Sequence, residues 1–148
     1  MKIYIGADHR GFHFKQQLDK FLALKGYEVI DVGPEKLAVD DDFTVFAGRV
    51  VAAMQQDGDE ARGIVICGSG QGMMMAANRF KGIRAGLGWS TDAARSVRND
   101  EDSNVLALPA ELLEGHEDVW HSIVLAWLST PFAGSTRYRR RIRQLDEL

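Results

Sequence analysis

The sequence has few cysteines and prolines and no long hydrophobic segment. It contains one Cys and three Pro in 148 residues. A single cysteine cannot form a disulfide within the chain, and the short apolar run in MKIYIGADHRG leads into polar residues, unlike a signal peptide. No segment approaches the roughly 18 to 20 apolar residues that span a bilayer. The sequence therefore predicts a cytoplasmic protein without a membrane partner.

The chain also lacks an excess of positive charge. Its formal net charge of -3 and its pI near 5.8 give no general attraction to nucleic acid, although arginines cluster in RYRRRIR at residues 137–143. Hydrophobic residues make up 45% and charged residues 26%, the composition of a globular protein. A chain of this length fits one domain and is short for two. We predict one domain over residues 1–148 and no nucleic-acid partner.

Short apolar runs alternate with segments of helical periodicity. The runs KIYIG, YEVIDVG, GIVICG, GIRAGLG and NVLALP predict five strands, separated by helical segments at Phe12 to Lys25, Phe43 to Asp57, Met73 to Phe80 and Thr91 to Arg98. The run IVIC has no polar alternation, as expected of a central strand covered on both faces. This order predicts an α/β fold, a three-layer α/β/α sandwich with a five-stranded, doubly wound parallel sheet. Extra C-terminal helices are expected at about Val119 to Leu128 and from about Ser135.

Three glycines spaced two residues apart follow the third predicted strand. In an open α/β sheet, ligands bind beyond the carboxyl ends of the strands. Gly68, Gly70 and Gly72 of ICGSGQG allow a tight turn that aims amide N–H groups at one point, where a helix begins. Such a turn suits a phosphate or an enolate oxygen. The spacing matches neither the dinucleotide fingerprint nor the Walker motif, so no nicotinamide cofactor or nucleoside triphosphate is expected.

The single cysteine, Cys67, lies between that strand and the glycine turn. Amides at a helix N-terminus stabilise a thiolate, so one interpretation is that Cys67 acts as a base. The other is that Cys67 is a small hydrophobic residue that fills the core. Ser69 is likewise either a donor to an oxyanion or a turn residue that bonds to nearby backbone. The residues alone leave both pairs of alternatives open.

Further candidate ligand contacts lie at two other places. Asp8 and His9 follow the first strand; Asp8 is either a ligand contact or a helix cap, and His9 either a ligand contact or a turn residue. Arg137 and Arg141 are one helical turn apart, so both guanidinium groups could meet one phosphate, or both could lie on a solvated face. No cluster of His, Cys or carboxylate residues has metal-ligand spacing, so metal-free chemistry is expected.

An ordered set of motifs runs along nearly the whole chain: Asp8-His9, ICGSGQG, AANRFKGIRAG, NVLAL, AWLSTPF and the late arginines. In this order they resemble the type B ribose-5-phosphate isomerase and galactose-6-phosphate isomerase family. The resemblance implies a Rossmann-like fold and interconversion of an aldose phosphate and a ketose phosphate without metal or cofactor. It also implies a homodimer, able to pair into a tetramer, whose last helix at about residues 135–148 packs on the partner subunit.

The resemblance also implies roles for matching residues. Cys67 would move the proton between two carbons, while Ser69 and the amides of the glycine turn would hold a cis-enediolate. A proton transfer next to a carbonyl needs such a base and such fixed donors. Asp8 would hold a sugar hydroxyl. The phosphate would be held by His9 together with two arginines from the other subunit, Arg137 and Arg141.

The sequence departs from the family pattern at several positions. The family's ring-opening histidine falls on Asp100, followed by Glu101, or on Arg98 and Asn99 if a two-residue insertion is allowed. Burial raises the pKa of a carboxyl, so Asp100 is our candidate acid, with Glu101 as the alternative. A tetrose 4-phosphate cannot close a furanose ring and would need no such acid, so a tetrose phosphate is a second hypothesis for the substrate, beside ribose 5-phosphate or another pentose phosphate. In addition, Glu111 replaces a phosphate-binding arginine, and Phe46 a substrate-facing tyrosine.

Two other functions compete with isomerisation. One is a family member that binds a sugar phosphate without catalysis, as a paralogue or a regulatory partner subunit. Glu111 and the absent histidine favour this function, whereas Cys67, Ser69 and the glycines oppose it. The other is a flavodoxin-like binder of a nucleotide or flavin. That function needs a hydroxyl-rich phosphate loop after the first strand, which GADHRG lacks.

Overall fold

The computed structural model describes residues 1–148 as five strands and seven helices. In chain order they are β1 Lys2–Ala7, α1 Phe12–Leu24, β2 Glu28–Asp31, α2 Phe43–Asp57, β3 Arg62–Cys67, α3 Gln71–Ala77, β4 Ala85–Leu87, α4 Thr91–Glu101, β5 Val105–Pro109, α5 Ala110–Leu113, α6 Glu117–Ser129 and α7 Thr136–Asp146. All five predicted strands and six predicted helices are present. The short α5 was not predicted, because four residues are too few to show helical periodicity.

The five strands form one sheet in the order β2-β1-β3-β5-β4, and every neighbouring pair is parallel. This confirms the predicted doubly wound parallel sheet. The three central strands end together, since Ala7 pairs with Ile66 and Cys67 pairs with Pro109. We call this end of the sheet the carboxyl edge and the end where the strands begin the amino edge.

Helices cover both faces of the sheet and bury two hydrophobic clusters. Side chains of β3 alternate between the clusters: Ile64 and Ile66 pack on the face of α1 and α6, while Val65 and Cys67 pack on the face of α2 and α3. Both faces of this strand are therefore buried, which explains why its sequence shows no polar alternation. The first cluster is anchored by Trp120 and the second by residues such as Phe46. The arrangement is the expected three-layer α/β/α sandwich.

Several helix boundaries differ from those predicted, most of all those of α3 and α4. Helix α3 begins at Gln71 rather than Met73, because Gly70 takes the N-cap position with φ +75°. The same helix ends at Ala77 rather than Phe80. Helix α4 continues past Arg98 and ends at Glu101, followed by the C-cap residue Asp102, a non-glycine residue with φ +49°. Arg84 and Arg98 both bond to the Asp102 carboxylate, which holds this unfavourable backbone conformation in place.

Helix α7 lies on the rim of the fold and has no buried residue. The segment before α7 is held beside the end of α4, because the Ala133 amide donates a hydrogen bond to the Asn99 carbonyl at 3.0 Å. Ser135 caps the helix by accepting a hydrogen bond from the Tyr138 amide at 3.4 Å. No helix of the structure combines the length and apolar character needed to cross a membrane.

Candidate active site at the carboxyl edge of the sheet

The turn between β3 and α3 contains Gly68 and Gly70. Gly70 adopts φ +75°, and a Cβ added there would lie 2.6 Å from Leu87 Cδ1. A Cβ at Gly68 would lie 2.8 Å from Glu111 Oε1 and 3.0 Å from Arg10 Nε. Gly70 is therefore required by its backbone conformation and by its close contacts, which include backbone atoms of Leu108 and Pro109 at 3.1 Å. The neighbours of Gly68, in contrast, are flexible side-chain ends that can move.

This turn leaves several backbone donors without acceptors. No backbone carbonyl accepts a hydrogen bond from the amides of Gly68, Ser69, Gly70, Gly72 or Met73. The one amide of the turn that finds a side-chain partner, that of Gln71, donates to the Ser69 hydroxyl at 3.4 Å. Buried backbone donors are almost always satisfied in proteins, so such a group is suited to a bound anion. The Ser69 hydroxyl bonds locally, as its turn interpretation predicts.

Cys67 is buried, with 5% of its surface exposed. Its side chain belongs to the apolar cluster of α2 and α3, which also contains Met73 and Ala107. It stands directly before the free amides of the turn. The position thus combines the packing of a core residue with immediate proximity to a group of backbone donors.

Asp8 is held beside the end of β3. Its amide donates to the Ile66 carbonyl at 3.2 Å, and its Oδ1 accepts from the amides of Arg10 at 2.9 Å and Gly11 at 3.2 Å. The carboxylate therefore orders the turn before α1. Burial raises the pKa of Asp8, although the two amide hydrogen bonds and His9 oppose this rise.

His9 is fixed by Asp41, which precedes α2. Asp41 Oδ1 accepts from the His9 amide at 3.1 Å and lies 2.7 Å from His9 Nδ1. Asp41 Oδ2 is buried without a hydrogen-bond partner. Sequence reasoning identified His9 but missed Asp41, because the run of acids at residues 40–42 gives no sign that one of them turns inward.

Arg10 and Glu111 form an ion pair at the mouth of the site. Arg10 comes from the loop after β1 and Glu111 from the first turn of α5. Both side chains are more than half exposed, and both lie against Gly68. A guanidinium group is therefore present next to Glu111, although the sequence pattern suggested that this region had lost its arginine.

Helix α2 carries two phenylalanines, Phe43 and Phe46, in its first turn. Phe43 is 38% exposed, and its ring atoms lie 3.2 Å from the position that a Cβ at Gly72 would take. Phe46 is buried, and the guanidinium carbon of Arg49 lies 5.2 Å from its ring centroid. Of the two rings, Phe43 is the one at the glycine turn. It was not identified from the sequence.

The remaining predicted residues lie elsewhere in the chain. Asp100 and Glu101 are at the end of α4, where the Asn99 amide group donates to Asp100 Oδ1 at 2.7 Å. Although Glu101 is exposed as a residue, desolvation of its carboxyl raises its pKa, the neighbouring Asp100 raises it further, and Arg141 opposes the shift. Arg141 of α7 is thus close enough to Glu101 for their charges to interact.

This second group lies at the amino edge and not beside Cys67 of the same chain. Helix α4 starts at the carboxyl edge and ends just before β5, whose first residues pair with the start of β3. Five residues of β5 at roughly 3.3 Å each separate the two edges by about 16 Å. A cleft of about 480 Å³ at the amino edge is lined partly by Arg62, Arg84 and Asp146. One chain therefore does not bring Arg141 and Asp100 to the glycine turn.

A family model described as Ribose/Galactose Isomerase matches residues 3–145. The chain belongs to this family. Ribose-5-phosphate isomerase B of Mycolicibacterium paratuberculosis is 34% identical over 148 residues, which cover 99% of this chain and 91% of that protein. The probable ribose-5-phosphate isomerase B of Mycoplasma genitalium is 35% identical over 143 residues, covering 97% of this chain and 92% of that protein.

Solved structures of family members have the same fold. The ribose 5-phosphate isomerase of Thermotoga maritima superposes with a TM-score of 0.92 at 39% identity, covering 99% of this chain and 98% of that one. The Mycoplasma genitalium enzyme with bound ribulose-5-phosphate has a TM-score of 0.91 at 34% identity, covering 99% and 94%. Membership of the family, expected from the ordered motifs, is confirmed.

Proposed function

We propose that this protein interconverts an aldose phosphate and a ketose phosphate at the carboxyl edge of its sheet. The observation that carries the proposal is the set of free amides between Gly68 and Met73, directly after the Cys67 thiol. Isomerisation next to a carbonyl develops negative charge on oxygen, and preorganised donors in a protected site stabilise that charge best. Family relatives named ribose-5-phosphate isomerase B support the same reaction class.

In the proposed mechanism, the Cys67 thiolate removes the proton from C2 of the aldose. The C2 electron pair forms the C1–C2 double bond, and the carbonyl electrons move to O1, giving a cis-enediol(ate) held by the amides of the turn. A proton passes from O2 to O1, and the Cys67 thiol returns its proton to C1, which leaves a carbonyl at C2. The base ends as it began, and no oxidant or metal takes part.

The proposed site needs a second copy of the chain. Within one chain, the acids Asp8, Asp41 and Glu111 at the mouth outnumber the basic residues His9 and Arg10. A phosphate dianion needs more positive charge than this set offers. Helix α7 has five arginines and no buried residue, so it is suited to supply Arg137 and Arg141 to a partner chain's site.

The charge interaction between Arg141 and Glu101 also indicates which residues replace the family's ring-opening histidine in this proposal. Because Arg141 interacts with Glu101 in one chain, a dimer that delivers Arg141 to a partner's site also brings the end of α4 close to it. Asp100 and Glu101 would then enter that site together with the arginines. Glu101, whose pKa is raised, is the better candidate to protonate a ring oxygen, and Asp100 remains the alternative.

An assay with sugar phosphates of different length tests whether a ring-opening acid operates. Purified protein is mixed separately with ribose 5-phosphate, a hexose 6-phosphate and erythrose 4-phosphate, and ketose formation is followed for each. If no ring-opening acid operates, the tetrose phosphate should turn over fastest, since it cannot form a furanose. Faster turnover of the pentose phosphate would contradict the tetrose hypothesis and favour a ring-opening acid, and no turnover of any sugar would contradict the proposed reaction.

A non-catalytic function is the second candidate, and the packing of Cys67 within an apolar cluster favours it. A protein of this kind would bind sugar phosphates at the amides of the turn and leave their carbon-bound hydrogens unchanged. Binding measured by calorimetry, with no solvent deuterium entering any bound sugar, would support this function. Deuterium incorporation would exclude it.

A further inference from the structure

The pair formed by Asp41 and His9 is more buried than a surface ion pair. The Asp41 side chain is 9% exposed, whereas that of His9 is 30% exposed. One oxygen, Asp41 Oδ1, contacts both the amide and the ring Nδ1 of His9, at 3.1 and 2.7 Å. The other oxygen, Oδ2, has no partner. The Asp41 carboxylate therefore forms hydrogen bonds to His9 alone.

This contact determines which nitrogen of His9 faces outward. A carboxylate oxygen only accepts hydrogen bonds, so the proton of the contact belongs to Nδ1. Because Nδ1 is bonded to the buried Asp41, Nε2 is the ring nitrogen that is left for another partner. A carboxylate that orients an imidazole in this way fixes both its tautomer and its direction.

We propose that Asp41 is a positioning residue that presents Nε2 of His9 to the phosphate group of the substrate. This inference rests on the proposed function for the identity of the ligand. With the proton of Nδ1 held by Asp41, protonation of Nε2 yields an imidazolium that donates one hydrogen bond to the carboxylate and one to a phosphate oxygen. Asp41 then acts on the ligand only through His9.

The pair of Asp41 and His9 is poorly suited to stabilise the folded state by itself. A buried carboxylate with an unpartnered oxygen loses hydration that no protein group replaces. An asparagine at position 41 would keep an acceptor for the two His9 contacts without burying a charge. Around His9, the groups that face it are Asp8 and Asp41, with Arg10 on the adjacent residue, so the charge of Asp41 adds to an already acidic mouth. Its value therefore lies in the charge-assisted hydrogen bond to the imidazole, which is stronger than the neutral bond that an asparagine would make.

The first test uses the wild-type protein and needs no activity. Nitrogen-15 NMR of the His9 ring, assigned by comparison with His9→Gln, reports which ring nitrogen carries the proton. The expected result is a proton on Nδ1 with and without phosphate, and a change in the Nε2 resonance when inorganic phosphate is added. A neutral ring protonated only on Nε2, or a spectrum insensitive to phosphate, would overturn the inference.

The second test compares Asp41→Asn with Asp40→Asn, an exposed neighbour without a side-chain hydrogen bond, as the matched control. Asp41→Asn should weaken phosphate binding about tenfold and raise KM by a similar factor, with kcat changed by roughly twofold or less. Adding His9→Gln to Asp41→Asn should weaken binding no more than His9→Gln alone. Additive effects, or equal effects of the two aspartate variants, would contradict the inference. Normal phosphate results with no isomerisation of any sugar would instead count against the proposed function.

Discussion

Arg10 and Glu111 pair across the first glycine of the β3–α3 turn, so that a guanidinium group lies at the mouth of the site. Arg10 comes from the loop after β1 and Glu111 from α5, directly after β5, and the parallel sheet brings both to one edge. Position 111 has no arginine, but the loop after β1 supplies one beside it. Glu111 orients this guanidinium, and its own charge limits how much net positive charge the pair offers.

Replacing Arg10 should therefore weaken substrate binding. Arg10→Gln removes a cation beside the amides of the turn and should raise KM about tenfold. The exposed pair of Arg95 and Asp92 on α4 provides a matched control, and Arg95→Gln should leave steady-state kinetics unchanged. Equal KM values for Arg10→Gln and the wild type would show that this guanidinium does not contact the substrate.

The backbone of the turn can be tested with a pair of glycine variants. Gly70 and Gly82 have nearly the same φ, +75° and +77°, but a Cβ at Gly82 meets nothing within 4 Å. Gly82→Ala should cost only the left-handed strain of roughly 1 to 2 kcal/mol in the free energy of unfolding. Gly70→Ala adds a collision with Leu87 and should cost at least about 1 kcal/mol more, with loss of activity. Denaturant unfolding measures both, and equal costs would be inconsistent with the described packing.

Replacing Asp8 should maintain or raise the stability of the fold but lower the activity. Its pKa is raised by burial, so its ionised form is disfavoured in the folded state. Asp8→Asn keeps an oxygen for the amides of Arg10 and Gly11 and should fold at neutral pH with equal or greater stability. The wild type should gain stability relative to this variant as the pH falls from neutral towards the ordinary value of 3.8, because the folded state then binds the proton more tightly. Urea unfolding of both proteins across this range tests the sign, while kcat/KM should fall in the variant.

Glu101 should matter for cyclic substrates only. Its pKa is raised, so it remains protonated to higher pH than an ordinary glutamic acid and can donate a proton to a ring oxygen. Glu101→Gln should lower turnover of ribose 5-phosphate by roughly 10² but leave that of erythrose 4-phosphate within about twofold. Glu114→Gln, an exposed glutamate outside α4, serves as the control. If Glu101→Gln is normal and Asp100→Asn is impaired on the pentose, Asp100 is the acid.

The alternation of strands and helices was predictable because each element has its own hydrophobic periodicity. The unbroken apolar run of β3 also predicted that both faces of this strand are buried. The glycine turn was predictable for a similar reason, since its spacing lies within one short stretch. Asp41 and Arg10 were not, because their roles arise from contacts between separate loops. Arg10 meets Glu111 only after β1 and β5 align, and Asp41 is one of three consecutive acids.

The separation of the predicted site residues into two groups was also beyond sequence reasoning. Residues 67–72 lie at one edge of the sheet, whereas Asp100 and Arg141 lie at the other. A motif list carries no information on which edge of the sheet a helix end reaches. The parallel topology supplies it, because each helix that connects two strands starts at the carboxyl edge and returns to the amino edge.

The measurement that tests the role of Cys67 most directly is hydrogen exchange at the substrate carbon. Wild type and Cys67→Ser are each incubated in D₂O with the sugar phosphate that the wild type turns over best, and deuterium at C1 of the ketose and C2 of the aldose is followed by NMR. The wild type should incorporate deuterium, and Cys67→Ser should do so at least about 10²-fold more slowly while binding the sugar normally. Incorporation at the wild-type rate in Cys67→Ser would contradict the assignment of the thiol as the base.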